Sequence, residues 1–266
     1  MALRTYRAVH PHDGQVQRHE GFWAVTTPNN PSFFWGNFLQ FDAPPAAGEA
    51  ERWPALFNQV MAASHPGTGH VALCWDNDAP GHVAPFLERG YGHDENVVMV
   101  ANQVVAARKP SIETTLRRVH TSDDWEALVR FHVRTRAPQF SEAGYTAYVR
   151  PRVAQWRMQA ERGCGTWVAA FVGDELAAAL GLYAEVEPGP DGLRLARYQE
   201  VTTDERWRRC GLCSALLAYA AELLVAKGID RYVIVTDEPD IARPVYAARG
   251  FAVVGRAHGL LLARRP

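Results

Sequence analysis

Residues 199–217, Gln-Glu-Val-Thr-Thr-Asp-Glu-Arg-Trp-Arg-Arg-Cys-Gly-Leu-Cys-Ser-Ala-Leu-Leu, combine residue types and spacing suited to chemistry. A β-type run ends at Thr203, a turn rich in arginine follows, and Gly211 opens an amphipathic helix. The first N–H groups of a helix have no intrahelical partner, and the helix dipole is positive at that end. A strand that turns through basic residues and glycine into a helix N-terminus is therefore a place to hold a phosphate. Gly211 lets such a ligand approach the backbone without a Cβ in the way. Arginines are disfavoured at a helix start unless an anion sits there, so Arg208 and Arg209 read as anion ligands rather than a solvated face.

Cys210 and Cys213 share the turn, and Cys-x-x-Cys at a helix N-terminus is also a redox or metal pattern. A structural zinc takes about four ligands. Cys74 and Cys164 stand alone in the sequence, so no metal is expected and thiol redox chemistry remains the minor alternative. The ten histidines show no tight ligand spacing. His65 and His70, or His10 and His12, read as loop or surface residues, and Phe33, Phe34, Trp35 and Phe38 as core.

The elements that must position this turn follow from periodicity. Leu195–Thr203 is the strand that leads in. The helix from Gly211 runs to about Lys227, buries Leu212, Leu216, Tyr219, Ala220, Leu223 and Leu224, and stops at Gly228. Upstream stand a strand over Glu113–Arg118 and a helix capped by Thr121 or Ser122, with Trp125, Leu128, Val129 and His132 facing inward. A second helix covers Tyr145–Arg162, and Thr166–Val172 pairs with Leu176–Glu185 across Gly173-Asp174. Downstream come a strand at Arg231–Val235, a helix at Ile241–Arg249 and two short strands. The first ten residues read as a loose start. Gly21–Thr27, Ser32–Phe41, His70–Trp75 and Asn96–Val105 read as strands, and Glu49–Ala63 and His82–Arg89 as helices. Arg108-Lys109-Pro110 marks a boundary, giving domains 1–110 and 111–266.

An internal repeat links the halves. His70-Val-Ala-Leu-Cys-Trp-Asp76 leads to Pro85-Phe-Leu-Glu-Arg-Gly-Tyr91, and Arg231-Tyr-Val-Ile-Val-Thr-Asp237 leads to Pro244-Val-Tyr-Ala-Ala-Arg-Gly-Phe251. Only the second half has the basic turn; the first has Asp42-Ala-Pro-Pro-Ala-Ala-Gly48 in its place.

A chain of 266 residues accommodates one large domain or two of ordinary size. A net charge of -1 gives no bulk electrostatic case for nucleic acid or an anionic membrane. No apolar run reaches the ~18–20 residues of a membrane span. The N-terminus lacks the apolar core of a secretory signal, so a reducing cytoplasm is expected.

Arg208-Arg209-Cys210-Gly211-Leu212-Cys213 resembles the acyl-CoA signature of the GNAT superfamily of N-acetyltransferases, Gln/Arg-x-x-Gly-x-Gly/Ala. Val201-x-Thr203 sits where that family has its splayed cofactor-binding strand, and Ala242-x-x-x-Tyr246-x-x-x-Gly250-Phe251 resembles its later helix. The resemblance covers roughly Ile112 to Arg264. Two residues depart from the pattern: Cys213 replaces the final Gly or Ala, and Pro239 stands near a point where the family often has Asn.

The resemblance implies an α/β (α+β) fold of two tandem GNAT-like domains, each a mixed, mostly antiparallel sheet flanked by helices, the first degenerate and without a cofactor loop. It implies transfer of an acetyl group from acetyl-CoA to an amine of a small molecule or peptide, directly in a ternary complex. Arg208, Arg209, Cys210, Gly211, Leu212, Cys213 and Ser214 would hold the pyrophosphate. Val201, Thr202 and Thr203 would offer backbone groups to the pantetheine and the acetyl carbonyl, one N–H stabilising the oxyanion. By the same analogy Tyr246 is the general acid: a phenol near ~10 is protonated at neutral pH and can give its proton to a thiolate whose acid is near ~8.5. Its plain alternative is a helix aromatic packed on the sheet. Glu200 is the candidate base, directly or through water, with Gln199 beside it. Strand alternation puts these two on opposite faces, so at most one lines the cleft. Glu185 and Tyr183 are further candidates. A non-catalytic acyl-CoA-binding module or sensor is the main alternative. No nucleic-acid or membrane partner is expected, and a homodimer stays open.

Overall fold

The computed structural model describes residues 1–9, 16–28, 30, 33–64, 69–237 and 242–263. The elements in chain order are α1 (Ala2–Ala8), β1 (Val16–His19), β2 (Phe22–Val25), β3 (Phe38–Phe41), α2 (Glu49–Ser64), β4 (His70–Asp76), α3 (Ala84–Leu87), β5 (Gly92–Ala101) and β6 (Thr115–Arg118). There follow α4 (Ser122–Arg134), α5 (Glu142–Glu161), β7 (Gly165–Val172), β8 (Glu175–Ala184), β9 (Leu195–Thr203), α6 (Leu212–Leu223), β10 (Arg231–Asp237), α7 (Arg243–Ala247) and β11 (Ala252–Ala263).

The chain divides into two compact units that are not continuous in sequence. One is Met1–Val98 with Val235–Asp240 and Val253–Pro266; the other is Met99–Ile234 with Ile241–Ala252. This division differs from the boundary read at 110/111, because β11 pairs antiparallel with β4 and so belongs with the first unit.

In the first unit β1, β2 and β3 form an antiparallel meander, and β4 joins β3 in parallel after the crossover helix α2. A parallel pair needs such a crossover. Trp53, Phe57 and Met61 of α2 are buried against Phe41, Leu73 and Trp75, and the Trp53 ring stacks on Phe41 at 3.7 Å.

The second unit repeats the plan. β6, β7, β8 and β9 are antiparallel neighbours, and β10 joins β9 in parallel after α6. Thr121 and Asp124 form a reciprocal capping box that starts α4. The α4/α5 side of the sheet is packed through Trp156 on Trp167 at 4.3 Å. The α6 side is fastened by the Tyr198 hydroxyl, which donates to the Leu217 carbonyl at 2.6 Å.

The repeat read from the sequence has a backbone counterpart in each unit. Tyr91 N–H bonds the Phe86 carbonyl at 3.1 Å, and Phe251 N–H bonds that of Tyr246 at 3.2 Å. Gly90 and Gly250 close the two short helices at φ 85° and 92°.

Several elements differ from the sequence reading. The loose start is the helix α1, which buries Ala2, Leu3 and Thr5. β1 is too polar to stand out. Ser32–Phe41 is not one strand: Phe34–Gly36 is a 3₁₀ turn, and β3 begins at Phe38. The long helix ends at Leu223, with a separate 3₁₀ turn at Val225–Lys227, and the two short tail strands are the single β11. His70 is buried, not a surface residue, because its Nε2 bonds the Asn37 carbonyl at 2.9 Å while Phe34 and Phe57 cover its ring. His10, His12, His65 and Pro239 lie outside the described residues.

Candidate active site

The ladder between β9 and β10 is short. It joins Leu195–Arg197 to Arg231–Val233 and stops. From Tyr198 to Thr203 that edge of β9 has no ladder partner among the described residues. The other edge pairs with β8, but with one residue too many: Gln199 faces Gly181 and Thr202 faces Ala179. The extra residue is absorbed at Glu200, whose φ is 52°. A left-handed conformation at a non-glycine residue costs roughly 1–3 kcal/mol and persists only where its surroundings enforce it. This bulge cancels the expected alternation. Gln199 and Glu200 do not face opposite ways: the Gln199 side chain bonds the Glu200 carboxylate and accepts from Arg197 Nε at 3.1 Å.

The turn after β9 is pinned by Asp204. Its buried carboxylate accepts from Arg134 Nε at 2.9 Å, Arg206 Nε at 3.0 Å and Arg206 Nη2 at 2.8 Å. The Arg206 hydrogen bonds, then those of Arg134, outweigh its burial and hold the Asp204 carboxyl far below the usual range. Beyond this anchor Arg209 and Gly211 both take left-handed conformations, at φ 65° and 85°. No side chain caps α6, and its first turn has no acidic residue. Among the described residues the N–H groups of Gly211, Leu212 and Ser214 make no hydrogen bond, and the Arg209 guanidinium has no partner. Arg208 reaches only the exposed Glu205, at 3.1 Å. Ser111 N–H donates to the Cys210 carbonyl at 3.0 Å, so the segment before β6 crosses the turn. Cys210 and Cys213 form no disulfide and are half-buried.

Tyr246 is buried on α7. Its ring meets Phe251 edge-on at 6.5 Å, and Phe251 in turn meets Tyr198 at 5.9 Å. That chain of rings links α7, through Phe251, to Tyr198, the residue at which β9 leaves β10. Phe86 holds the equivalent place in the first unit and meets Tyr91 at 5.6 Å. The two copies share the ring and differ in the hydroxyl.

Glu200 lies at the bulge with a partner that was not read from the sequence. Arg152 of α5 donates from Nη2 to Glu200 Oε1 at 2.6 Å and from Nη1 to the Tyr148 hydroxyl at 2.7 Å. The side chains are 8% and 25% exposed. Burial alone would raise the Glu200 carboxyl, but Arg152 holds it below its ordinary value, so it is ionised at neutral pH. His132 lies behind, pushed down to about 4 by burial and therefore neutral. The other two candidates are engaged in the fold: Glu185 accepts the Leu195 N–H at 3.1 Å, and Tyr183 accepts the Trp167 indole N–H at 2.7 Å.

The first unit keeps the turn without the opening. Gly48 precedes α2 at φ 86°, as Gly211 precedes α6. Yet the first turn of α2 contains Glu49 and Glu51, which repel an anion where α6 would attract one. The β3–β4 ladder also runs through Leu73, Cys74 and Trp75. Their repeat equivalents, Ile234, Val235 and Thr236, lie beyond the last residue of β10 that pairs with β9.

The site is thus a mixed sheet whose parallel pair parts beside an uncapped, basic helix start. Residues 125–251 match the acetyltransferase (GNAT) family. A functionally unknown conserved protein from Staphylococcus epidermidis aligns over 98% of both chains at 12% identity and TM-score 0.72. A GCN5-related N-acetyltransferase from Kribbella flavida aligns over 97% of this chain and 91% of its own, at 15% identity and TM-score 0.64. A tandem GNAT protein from the clavulanic acid biosynthesis pathway aligns over 92% and 83%, at 15% identity and TM-score 0.55. The fold is thus that of tandem GNAT-like domains. No curated protein matches the chain. No helix among the described residues is long and apolar enough to cross a membrane.

Proposed function

We propose that this chain moves an acetyl group from acetyl-CoA to an amine of a small molecule or peptide, directly within a ternary complex. Residues 111–266 would form the acting domain, and residues 1–110 a copy without a cofactor loop. The observation that supports this most is the unpartnered edge of β9, which runs straight into the uncapped, arginine-bearing start of α6. These residues fit the cofactor: free strand groups suit the amides of the pantetheine, and free helix N–H groups with unpaired guanidinium charge suit a pyrophosphate.

Bound acetyl-CoA supplies the activated acyl group as a thioester. Val201, Thr202 and Thr203 orient it through backbone N–H and C=O groups. Arg208, Arg209, Cys210, Gly211, Leu212, Cys213 and Ser214 bind its phosphates. Cys213, where the family has Gly or Ala, brings a small side chain into that cradle. Tyr246 holds a proton on its phenol and gives it to the departing thiolate. Glu200, kept ionised by Arg152, takes the proton from the amine through water; a lowered carboxyl is a weak base, so it acts as attack proceeds rather than before it. Four cysteines, none in a disulfide, suit a reducing cytoplasm.

Calorimetric titration with acetyl-CoA and with CoA tests the proposal. Saturable binding of both is expected, followed by CoA release when amines are added. Absence of binding to either overturns it, and binding without release from any amine leaves a sensor.

A further inference from the structure

The α4/α5 side of the β9 bulge carries a row of aromatic rings that none of these roles uses. Tyr145, Tyr148 and Arg152 fall three and four residues apart on α5, so they form one stripe. The Tyr145 ring lies 5.5 Å from Tyr148 and 5.9 Å from Phe140. Phe140, in the connection between α4 and α5, is 51% exposed. It is held there by Arg136, whose Nε donates to the Phe140 carbonyl at 3.0 Å and whose Nη1 donates to Val133 O at 2.7 Å. The row therefore runs from solvent at Phe140 to the ion pair at Glu200.

Charge narrows what this row could hold. Arg152 and Glu200 compensate each other, and Arg152 already covers Tyr148 at 5.3 Å and Trp156 at 5.0 Å. His132 is neutral, and Arg197 is turned to Gln199. Among the described residues no cation lies over Tyr145 or Phe140; Phe140 is exposed and Tyr145 half-buried. An anionic group on the acceptor would meet the negative faces of these rings rather than an uncompensated cation, and would lose hydration without return. An apolar body gains by covering the rings.

We propose that Phe140, Tyr145 and Tyr148 form the acceptor subsite, and that the acceptor is a primary amine on an aromatic or aliphatic body with no anionic group. This rests on the acetyl-transfer reading above. CoA release is measured with 2-phenylethylamine and hexylamine against 4-aminobutyrate and glycine, after calorimetry has established acetyl-CoA binding. The first two are expected to exceed the last two at least ~10-fold in kcat/KM, a ratio one or two ring contacts can supply. Phe140→Ala and Tyr145→Ala should each raise KM for 2-phenylethylamine ~5–10-fold with acetyl-CoA affinity unchanged. Phe140 is exposed enough that its variant keeps the fold. Fastest turnover with 4-aminobutyrate or glycine, or an unchanged KM in both variants, overturns the acceptor assignment while leaving acetyl transfer intact. Binding of acetyl-CoA without release from any of the four amines overturns this proposal too. Absence of acetyl-CoA binding is the separate failure of the broader reading.

Discussion

Arg152→Met tests what keeps Glu200 charged. Methionine retains an unbranched apolar chain across Tyr148 and Trp156, so the packing of α5 changes little. What changes is the carboxylate at the bulge, 25% exposed and now without its cation. It can remain ionised against desolvation or take up a proton. From an ordinary value of 4.5, proton uptake at pH 7 costs 2.5 × 1.36, or about 3.4 kcal/mol, which is the ceiling on this loss. In the wild type the folded-state value lies below the unfolded one, so the stabilisation is present above about pH 4.5 and fades as pH falls through the lowered value. In the variant the order reverses, and stability falls as pH rises above about 4.5. The gap between the two proteins should therefore be about 2–3 kcal/mol at pH 7 and under about 1 kcal/mol at pH 5, in urea melts followed by circular dichroism. Adding Glu200→Gln to the variant should restore most of the loss at pH 7, since the orphaned charge is gone. A gap that does not change with pH, or a double variant no more stable than the single one, would refute the assignment of this charge to Arg152.

What the sequence could show depended on how local the determining interactions are. β9 is legible to the residue, because Leu195–Thr203 is a β-rich run closed by a polar turn. The turn into α6 was legible too, since Gly211 stands directly before the helix at φ 85°. The bulge at Glu200 was not, because Gln-Glu-Val-Thr reads as ordinary alternation and contains no glycine to mark a left-handed residue. Its register is decided by pairing with β8 across the intervening connection, where Gly181 faces Gln199 and Ala179 faces Thr202. Arg152 was hidden for a similar reason. An arginine four residues after a tyrosine reads as a solvated helix face until β9 supplies a carboxylate to bury it with. Asp204 passed as one more polar turn residue, although Arg134 from α4 makes it the anchor of the loop. β11 shows the limit of local reading most plainly, since its last residues pair with β4, nearly two hundred positions earlier, and so join the first unit.

Further outcomes follow from the same residues. Tyr246→Phe keeps the ring on Phe251 and removes the hydroxyl, as Phe86 does in the first unit; turnover should fall ~100-fold with acetyl-CoA affinity unchanged, and an unaltered rate removes the acid assignment. Replacing both Cys210 and Cys213 by Ala should leave acetyl transfer within about twofold, because the proposed cradle uses their backbone groups and not their thiols; a thiol-disulfide activity lost with them would favour redox chemistry instead. His132→Leu isolates a buried neutral imidazole. The unfolded chain binds a proton at an ordinary 6.5, whereas burial delays it to about 4 in the folded protein. Between those values the unfolded state holds more protons, so wild-type stability should fall by about 3 kcal/mol as pH drops from 6.5 to 4, and no further below it. Carboxylates titrate over the same interval, but their contributions cancel in the difference between wild type and variant. That difference should carry the whole slope, and a variant that loses stability as steeply as the wild type would mean that His132 is protonated in the folded protein, where it would repel Arg152 and weaken its hold on Glu200.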